Sequence, residues 1–386
     1  MMRRGWAAAL VVGVLVVMAA GWLLHQERRA PRPETGDAFS VTGVLSGEEE
    51  ARGYARVTGP EPLEFPRDHG PHPGYRHEWW YVTGNLTGPD DRHFGYQITF
   101  FRFNVDPAAP ERESVLATNQ VWMAHLAVTD GDGGTFHHAE RLSRGAAGLA
   151  GARAEPFRVW LDDWTLEADR DDRYMPLRLR AGHDRFSLDL VLDAVKPPVL
   201  QGDRGYSRKG SDPGNASRYF SFTRLSTEGV LRLDGMDMEV QGSSWMDREW
   251  GTSTLEEGQT GWDWFSIQLD DDRDIMFYHL RREDGTVDPR SKGVLVEADG
   301  ASRLLSLDDV EIESTRYWDS PLGDVSYPVA WRMRLPAEGL ELELSARVDD
   351  QELRTGFRYW EGAIRVRGTA DGGPVEGVGY AELTGY

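Results

Sequence analysis

Residues 79–102 read WWYVTGNLTGPDDRHFGYQITFFR, and residues 262–281 read WDWFSIQLDDDRDIMFYHLR. Each stretch opens on Trp and a further aromatic pair (Trp80-Tyr81, Trp264-Phe265), passes through an Asp-Asp-Arg turn, and closes on an apolar strand ending in Arg. Two alternating runs flanking an acidic turn predict a β-hairpin. A second pairing follows in the same order: VQGSSWMD at 240–247 and VEGVGYAE at 375–382 share the spacing Val-x-Gly-x-x-aromatic-x-acid. Two matches in one order predict duplicated β domains of unequal length.

The rest of the body agrees with this pattern. GYQITFFRF, VWMAHLAVTD, FSLDLVLDAV, DIMFYHL, VAWRMRL and LELELSARV alternate with a period of two, and GDGG, EDG and TADGG turns separate such runs. Each strand is expected to have one solvated and one dry face. No long 3.6-residue period survives beyond the N-terminus, so the body is all-β, barrel or sandwich. We place a linker at 33–59, a first domain at 60–250 and a second at 251–386.

The N-terminus differs in kind. Residues 6–24, WAAALVVGVLVVMAAGWLL, carry no charge and lie between Arg3-Arg4 and Arg28-Arg29. That length and those flanks predict a hydrophobic helix acting as a signal peptide or signal anchor over residues 1–32. The body is then exported, to the periplasm or the outer face of the inner membrane, and is either anchored there or released by cleavage. The 386 residues carry a formal charge of −21. Residues 1–32 hold five arginines and one glutamate, so the remaining body stands at −25. An acidic body repels phosphate backbones, which excludes nucleic acid as a partner. The absence of cysteine excludes disulfides, thiolate metal sites and a cysteine nucleophile.

Three windows concentrate aromatic and ionisable residues: RHEWWYVTGN (76–85), GSSWMDREWG (242–251) and GWDWFSIQ (261–268). Six of the 14 tryptophans fall in them: Trp79, Trp80, Trp245, Trp250, Trp262 and Trp264. Large aromatics beside a carboxyl desolvate it and raise its pKa, which prepares a general acid near neutral pH. Aromatic faces also stabilise a passing cation. The candidate acids are Glu78, Asp247, Glu249 and Asp263. An alternative reading has Asp247, Arg248 and Glu249 in buried ion pairs that lock the two domains together, with the tryptophans as core. His69, His72 and His77 with Glu78 lie in a Pro-rich loop without a His-Glu-x-x-His helix, so no metal is expected. His125 on an apolar strand reads as a core or pocket residue. Neither a Gly-x-Ser-x-Gly elbow nor a phosphate-binding loop occurs, and no cofactor is expected.

Taken together, HEWWYVTGNL, GSSWMDREWG, GWDWFSIQL and the closing YWEGAIRVRG with GYAELTGY resemble the AttH-like family, which includes the carotenoid hydratases. The resemblance covers about residues 60–386. It implies two lipocalin-like β domains packed together, with a hydrophobic small molecule, lipid or isoprenoid held near their junction. It further implies an ABC transporter permease as a partner in the cell envelope. The implied chemistry is acid-catalysed addition of water to a C=C bond. Asp247 or Glu249 would then be the acid, Trp245, Trp250, Trp262 and Trp264 would line the site, and Tyr278 would lie close by; Trp79, Trp80 and Arg248 join them as ligand-binding candidates. Where the carotenoid hydratases carry Asp-His-Asn-Trp-Gly, this chain has Asp247-Arg248-Glu249-Trp250-Gly251, and Arg248 cannot relay a proton. Two functions therefore stay open: a hydratase-like or hydrolase-like enzyme, and a lipocalin-like lipid carrier beside a transporter.

Overall fold

Hairpins form where the turn chemistry places them. Strands His77–Thr87 and His93–Asn104 pair antiparallel, with Tyr81 opposite Thr99. Asp90 and Asp91 in their connection adopt left-handed φ of 56°, a conformation that Asp tolerates better than most residues. Gln259–Leu269 and Asp274–Arg282 repeat the arrangement, with Asp272 at φ 67°. The computed structural model that shows this describes residues 51–108, 114–253 and 255–386.

Each hairpin opens a sheet and also helps to close it. The strand Met236–Gly251 returns to pair with His77–Thr87, placing Asp247 opposite Tyr81. Gly373–Leu383 returns in the same way to Gln259–Leu269, placing Glu382 opposite Trp264. Next in line stand Ala216–Leu233 in the first sheet and Arg358–Ala370 in the second. The repeat visible in the sequence is thus one strand order used twice. By register Asp247 is equivalent to Glu382, and Tyr81 is equivalent to Trp264, one residue away from the match that similarity of sequence suggests. Thirteen strands make up the first sheet, a nearly closed barrel, and ten make up the second, a half-barrel, as two lipocalin-like domains require.

The strands shared between layers depart from the expected solvated and dry faces. His77–Thr87 is buried almost throughout, and so is the second half of Met236–Gly251. The reason is that the two sheets cover each other, so a strand at the junction has an inner face in its own sheet and an outer face against the other. Three apolar clusters record this. Trp80, Val82, Met246 and Trp250 belong to the core of the first sheet. Phe265, Ile267, Trp331 and Trp360 belong to the core of the second. Tyr81, Tyr219, Trp245, Trp264 and Tyr278 form the layer between them. Polar ties cross the same junction: Asn85 Nδ2 donates to the Gly379 carbonyl at 3.2 Å, and Thr129 Oγ1 donates to Gln351 Oε1 at 2.6 Å.

Close approach of the sheets depends on Gly95, where a Cβ would stand 2.5 Å from the Cβ of Ala363. Gly95→Val is expected to destabilise the body by about 1–3 kcal/mol through overpacking. A urea midpoint equal to that of wild type would refute the close contact. Among the described residues no helix is long and apolar enough to cross a membrane; the expected N-terminal helix lies outside the described residues.

Candidate functional site

The layer between the sheets is not filled. Trp79, Tyr81, Asp247, Glu249, Trp264 and Tyr278 are among the side chains that line a cavity there, which opens to solvent. Strand alternation decides who reaches it. On the strand of the first acid, Trp245, Asp247 and Glu249 point outward to the junction, whereas Met246, Arg248 and Trp250 point into the first sheet. On the neighbouring strand Trp79 and Tyr81 face the cavity, and Glu78 and Trp80 face inward.

Asp247 is 3% exposed and is held only by neutral donors. Tyr219 Oη donates to its Oδ2 at 2.5 Å, and Ser221 Oγ and Trp245 Nε1 donate to Oδ1 at 2.5 and 2.7 Å. Burial pushes its carboxyl up to about 7; the three hydrogen bonds oppose that rise and the charge of Glu249 adds to it. Trp264 Nε1 donates to Tyr219 Oη at 3.2 Å, which fixes the phenol against the acid. The carboxyl group of Glu249 is occupied by the Lys209 ammonium and the Ser217 hydroxyl. Lys209 Nζ in turn sits 6.0, 5.7 and 5.7 Å from the ring centres of Trp79, Tyr219 and Tyr278. These rings therefore already accept a cation in the apolar cavity.

The inward-facing candidates build something else. Glu78 is fully buried, and its two oxygens take the guanidinium groups of Arg102 and Arg248 and the backbone N–H of His72, the last at 3.1 Å to each oxygen. Those cations hold its carboxyl below the usual carboxylate range against the opposing effect of burial. The guanidinium of Arg248 lies 3.9 Å over Trp80 and 5.0 Å over Trp250, and it donates to the Gly70 carbonyl at 2.5 Å. His72 stacks on Trp250 with ring centres 3.8 Å apart. The cluster pins the Pro-rich loop to the first sheet. Arg248 pairs with Glu78 rather than with Asp247 or Glu249, so the sequence Asp-Arg-Glu is not a local ion-pair ladder.

Of the sequence candidates, the fold brings Asp247, Glu249, Trp79, Trp262, Trp264 and Tyr278 to the cavity, with Trp245 bonded to Asp247 behind its wall. Glu78, Trp80, Arg248 and Trp250 lie on the other side of the sheet. Asp263 is bound by Arg281 at 2.9 Å and by the hydroxyl of Tyr386. His69 and His77 are pushed down to about 3 by burial, and among the described residues no three His, Asp or Glu are placed to hold a metal ion. The acidic turn at 270–272 is bound by arginines, Arg273 to Asp271 at 2.6 Å and Arg224 to Asp272 at 3.4 Å.

Sequence reasoning did not single out Tyr81, Lys209, Tyr219, Glu361 or Glu382, all of which line the cavity. A signal for Glu382 was present, because the Val-x-Gly-x-x-aromatic-x-acid repeat already sets it beside Asp247. Lys209 and Tyr219 belong to a loop and a strand that no motif marks.

Such a protein, two lipocalin-like sheets around an aromatic, carboxyl-bearing cavity, has known relatives. The AttH-like family model matches residues 56–386, and the chain belongs to that family. A crystal structure of an AttH-assigned protein from Nitrosomonas europaea is 37% identical and covers 86% of this chain and 99% of its own, with a TM-score of 0.75. Kievitone hydratase from Nectria haematococca shares the fold, with a TM-score of 0.65 at 17% identity over 88% of this chain and 96% of that one. Dehydratase asqC of Emericella nidulans is 22% identical over 230 residues, 56% of this chain and 64% of its own length. Kievitone hydratase of Fusarium solani subsp. phaseoli is 24% identical over 240 residues, 60% of this chain and 66% of its own length. The chain therefore spans less than two thirds of either curated relative.

Proposed function

We propose that this protein adds water to a carbon–carbon double bond of an apolar, isoprenoid-like substrate, or catalyses the reverse elimination, with Asp247 as the proton donor. The observation that carries the reading is the Asp247 carboxyl, buried among neutral donors in an aromatic cavity and half protonated near pH 7. A carboxylic acid in that state transfers a proton to an alkene carbon more readily than a solvated one. The cation formed next to it would meet the faces of Trp79, Trp264 and Tyr278, which lower its energy without supplying a nucleophile. Water then completes the addition. Two relatives named for a dehydratase and a hydratase support a reaction of this class.

Arg248, where the chain departs from the carotenoid hydratase stretch, faces away from the cavity, so that substitution leaves the acid in place. Glu249, which stands where that stretch has Asn, does face the cavity and brings Lys209 with it.

The test is to incubate the purified protein with squalene and a panel of hydroxylated acyclic isoprenoids in oxygen-18 water, with mass spectrometry of the products. Incorporation of one labelled water, or its loss from an alcohol, is expected. A panel that is unchanged while apolar ligands quench the fluorescence of Trp79, Trp262 and Trp264, and lipid co-purifies, would favour the carrier reading. With residues 1–32 as its membrane address, we further place the body in the envelope beside a permease-type transporter; recovery from the cytosolic fraction would rule this out.

A further inference from the structure

Two carboxyls in the cavity have no part in the Asp247 step. Glu361 and Glu382 are direct cross-strand partners, and both line the cavity. Side chains so paired stand about 5 Å apart at Cβ, too close for two ionised carboxylates away from water. Glu361 is fully buried, and neither of its oxygens accepts a full hydrogen bond. The hydroxyls of Tyr81 and Tyr359 point to it and favour its ionised form. From Tyr359 a chain of polar groups leads outward: Tyr359 Oη lies 2.7 Å from His125 Nδ1, and His125 Nε2 lies 3.0 Å from Glu140 Oε2. The Glu140 side chain is 20% exposed.

We propose that Glu361 and Glu382 hold one proton between them and accept the proton of the attacking water, with Tyr359, His125 and Glu140 as its path to solvent. The inference rests on the hydration reading above. In that direction Asp247 gives its proton to one alkene carbon, and the π pair becomes the new C–H bond. The water oxygen bonds to the cationic carbon. One water O–H then breaks, leaving its electron pair on oxygen while its proton passes to the ionised member of the pair. One proton enters the product and one leaves the water, so the sum is the addition of H₂O. The pair discharges through Tyr359, and Asp247 is reprotonated from solvent.

The surrounding groups agree with a shared proton. Burial raises the carboxyls of both Glu361 and Glu382 above the usual range. Asp247 and Glu249 add to the rise at Glu382 and Lys209 opposes it. Tyr81 and Tyr359 oppose it at Glu361, and the charge of Glu361 adds to the rise that burial causes at the Tyr380 phenol. His125 is pushed down by burial, and a neutral imidazole bonded at both nitrogens can pass a proton by exchanging tautomers.

An infrared pH titration of the full, ligand-free chain tests the pairing, read in the carbonyl stretch of protonated carboxyls. Wild type is expected to show one component that Asp247→Asn removes and a second that belongs to the glutamate pair. In Glu382→Gln the remaining Glu361 signal should titrate lower by about one pH unit or more, as mutual interaction demands; in Glu361→Gln the Glu382 signal should do the same. Tyr359→Phe should slow hydrogen–deuterium exchange of the second component several-fold while leaving the Asp247 component alone. Glutamates that titrate unchanged when the partner is removed, or exchange that ignores Tyr359, overturn the proposal. Should Glu361→Gln fail to fold, Glu382→Gln at the more accessible position still decides. The Asp247 component is separate, so loss of the pair leaves the hydration reading standing, and loss of turnover leaves the pair testable.

Discussion

Asp247→Asn is expected to lower turnover by about 10²–10⁴-fold, the usual share of a positioned general acid, in a protein that still folds. Asn matches the carboxyl in shape and can accept from Tyr219, Ser221 or Trp245, but it has no proton to give. The wild-type rate is expected to have a matching pH profile. Because the acid must be protonated to act, turnover is expected to hold up to about pH 7 and fall above it, following the value to which burial brings Asp247. Stability carries the same signature with a known sign. A carboxyl raised from its ordinary 3.8 to about 7 binds its proton more tightly in the folded state. Its contribution is therefore fully present below pH 4 and is lost as pH rises through 7. At about 1.4 kcal/mol per pH unit, the stability of Asp247→Asn relative to wild type should gain about 4 kcal/mol between pH 4 and pH 8. Denaturant melts at the two pH values measure that gain, and a gap that does not change with pH would remove the argument for a protonated Asp247.

Glu78→Gln is expected to cost about 3–5 kcal/mol of stability, because it leaves the buried guanidinium groups of Arg102 and Arg248 without a counter-charge. The loop at 64–76 should loosen with it, and amide exchange at His72, whose N–H bonds to Glu78, should become faster. Here the pH dependence has the opposite sign. The carboxyl of Glu78 is held below its ordinary value of 4.5, so its contribution is present above that value and fades as pH falls. Wild type should thus lose stability on acidification more steeply than the variant. In the fraction that remains folded, turnover per molecule should stay near that of wild type, since Glu78 faces away from the cavity. A stability loss under about 1 kcal/mol, or a folded Glu78→Gln protein without turnover, would show that this carboxyl is not the structural anchor described.

These two carboxyls show how far the sequence carries. Glu78 and Asp247 look alike in it: each lies beside tryptophans in a motif shared with the AttH-like family, and each was a fair candidate for a raised acid. In the structure one is tied to two arginines and the other to three neutral donors, and their pKa values move in opposite directions. Composition cannot separate them, because Arg102 is 24 residues from Glu78 and Arg248 is 170. The alternation of each strand was legible, but a strand covered on both faces does not say which of its two sets of side chains meets the cavity.

The all-β class, the duplicated strand order and the kinship of residues 56–386 were determined by the sequence alone, because hairpin turns, period-two runs and repeated motifs are local and need no partner to be read. The tertiary structure alone decided which acids are free to work. It stacked the outer faces of two sheets, so that Asp247 and its repeat counterpart Glu382 share one cavity although 134 residues separate them. It also brought in Lys209 and Tyr219 from segments without a motif. Desolvation and charge act through space, and only the packing of the two sheets sets the distances over which they act.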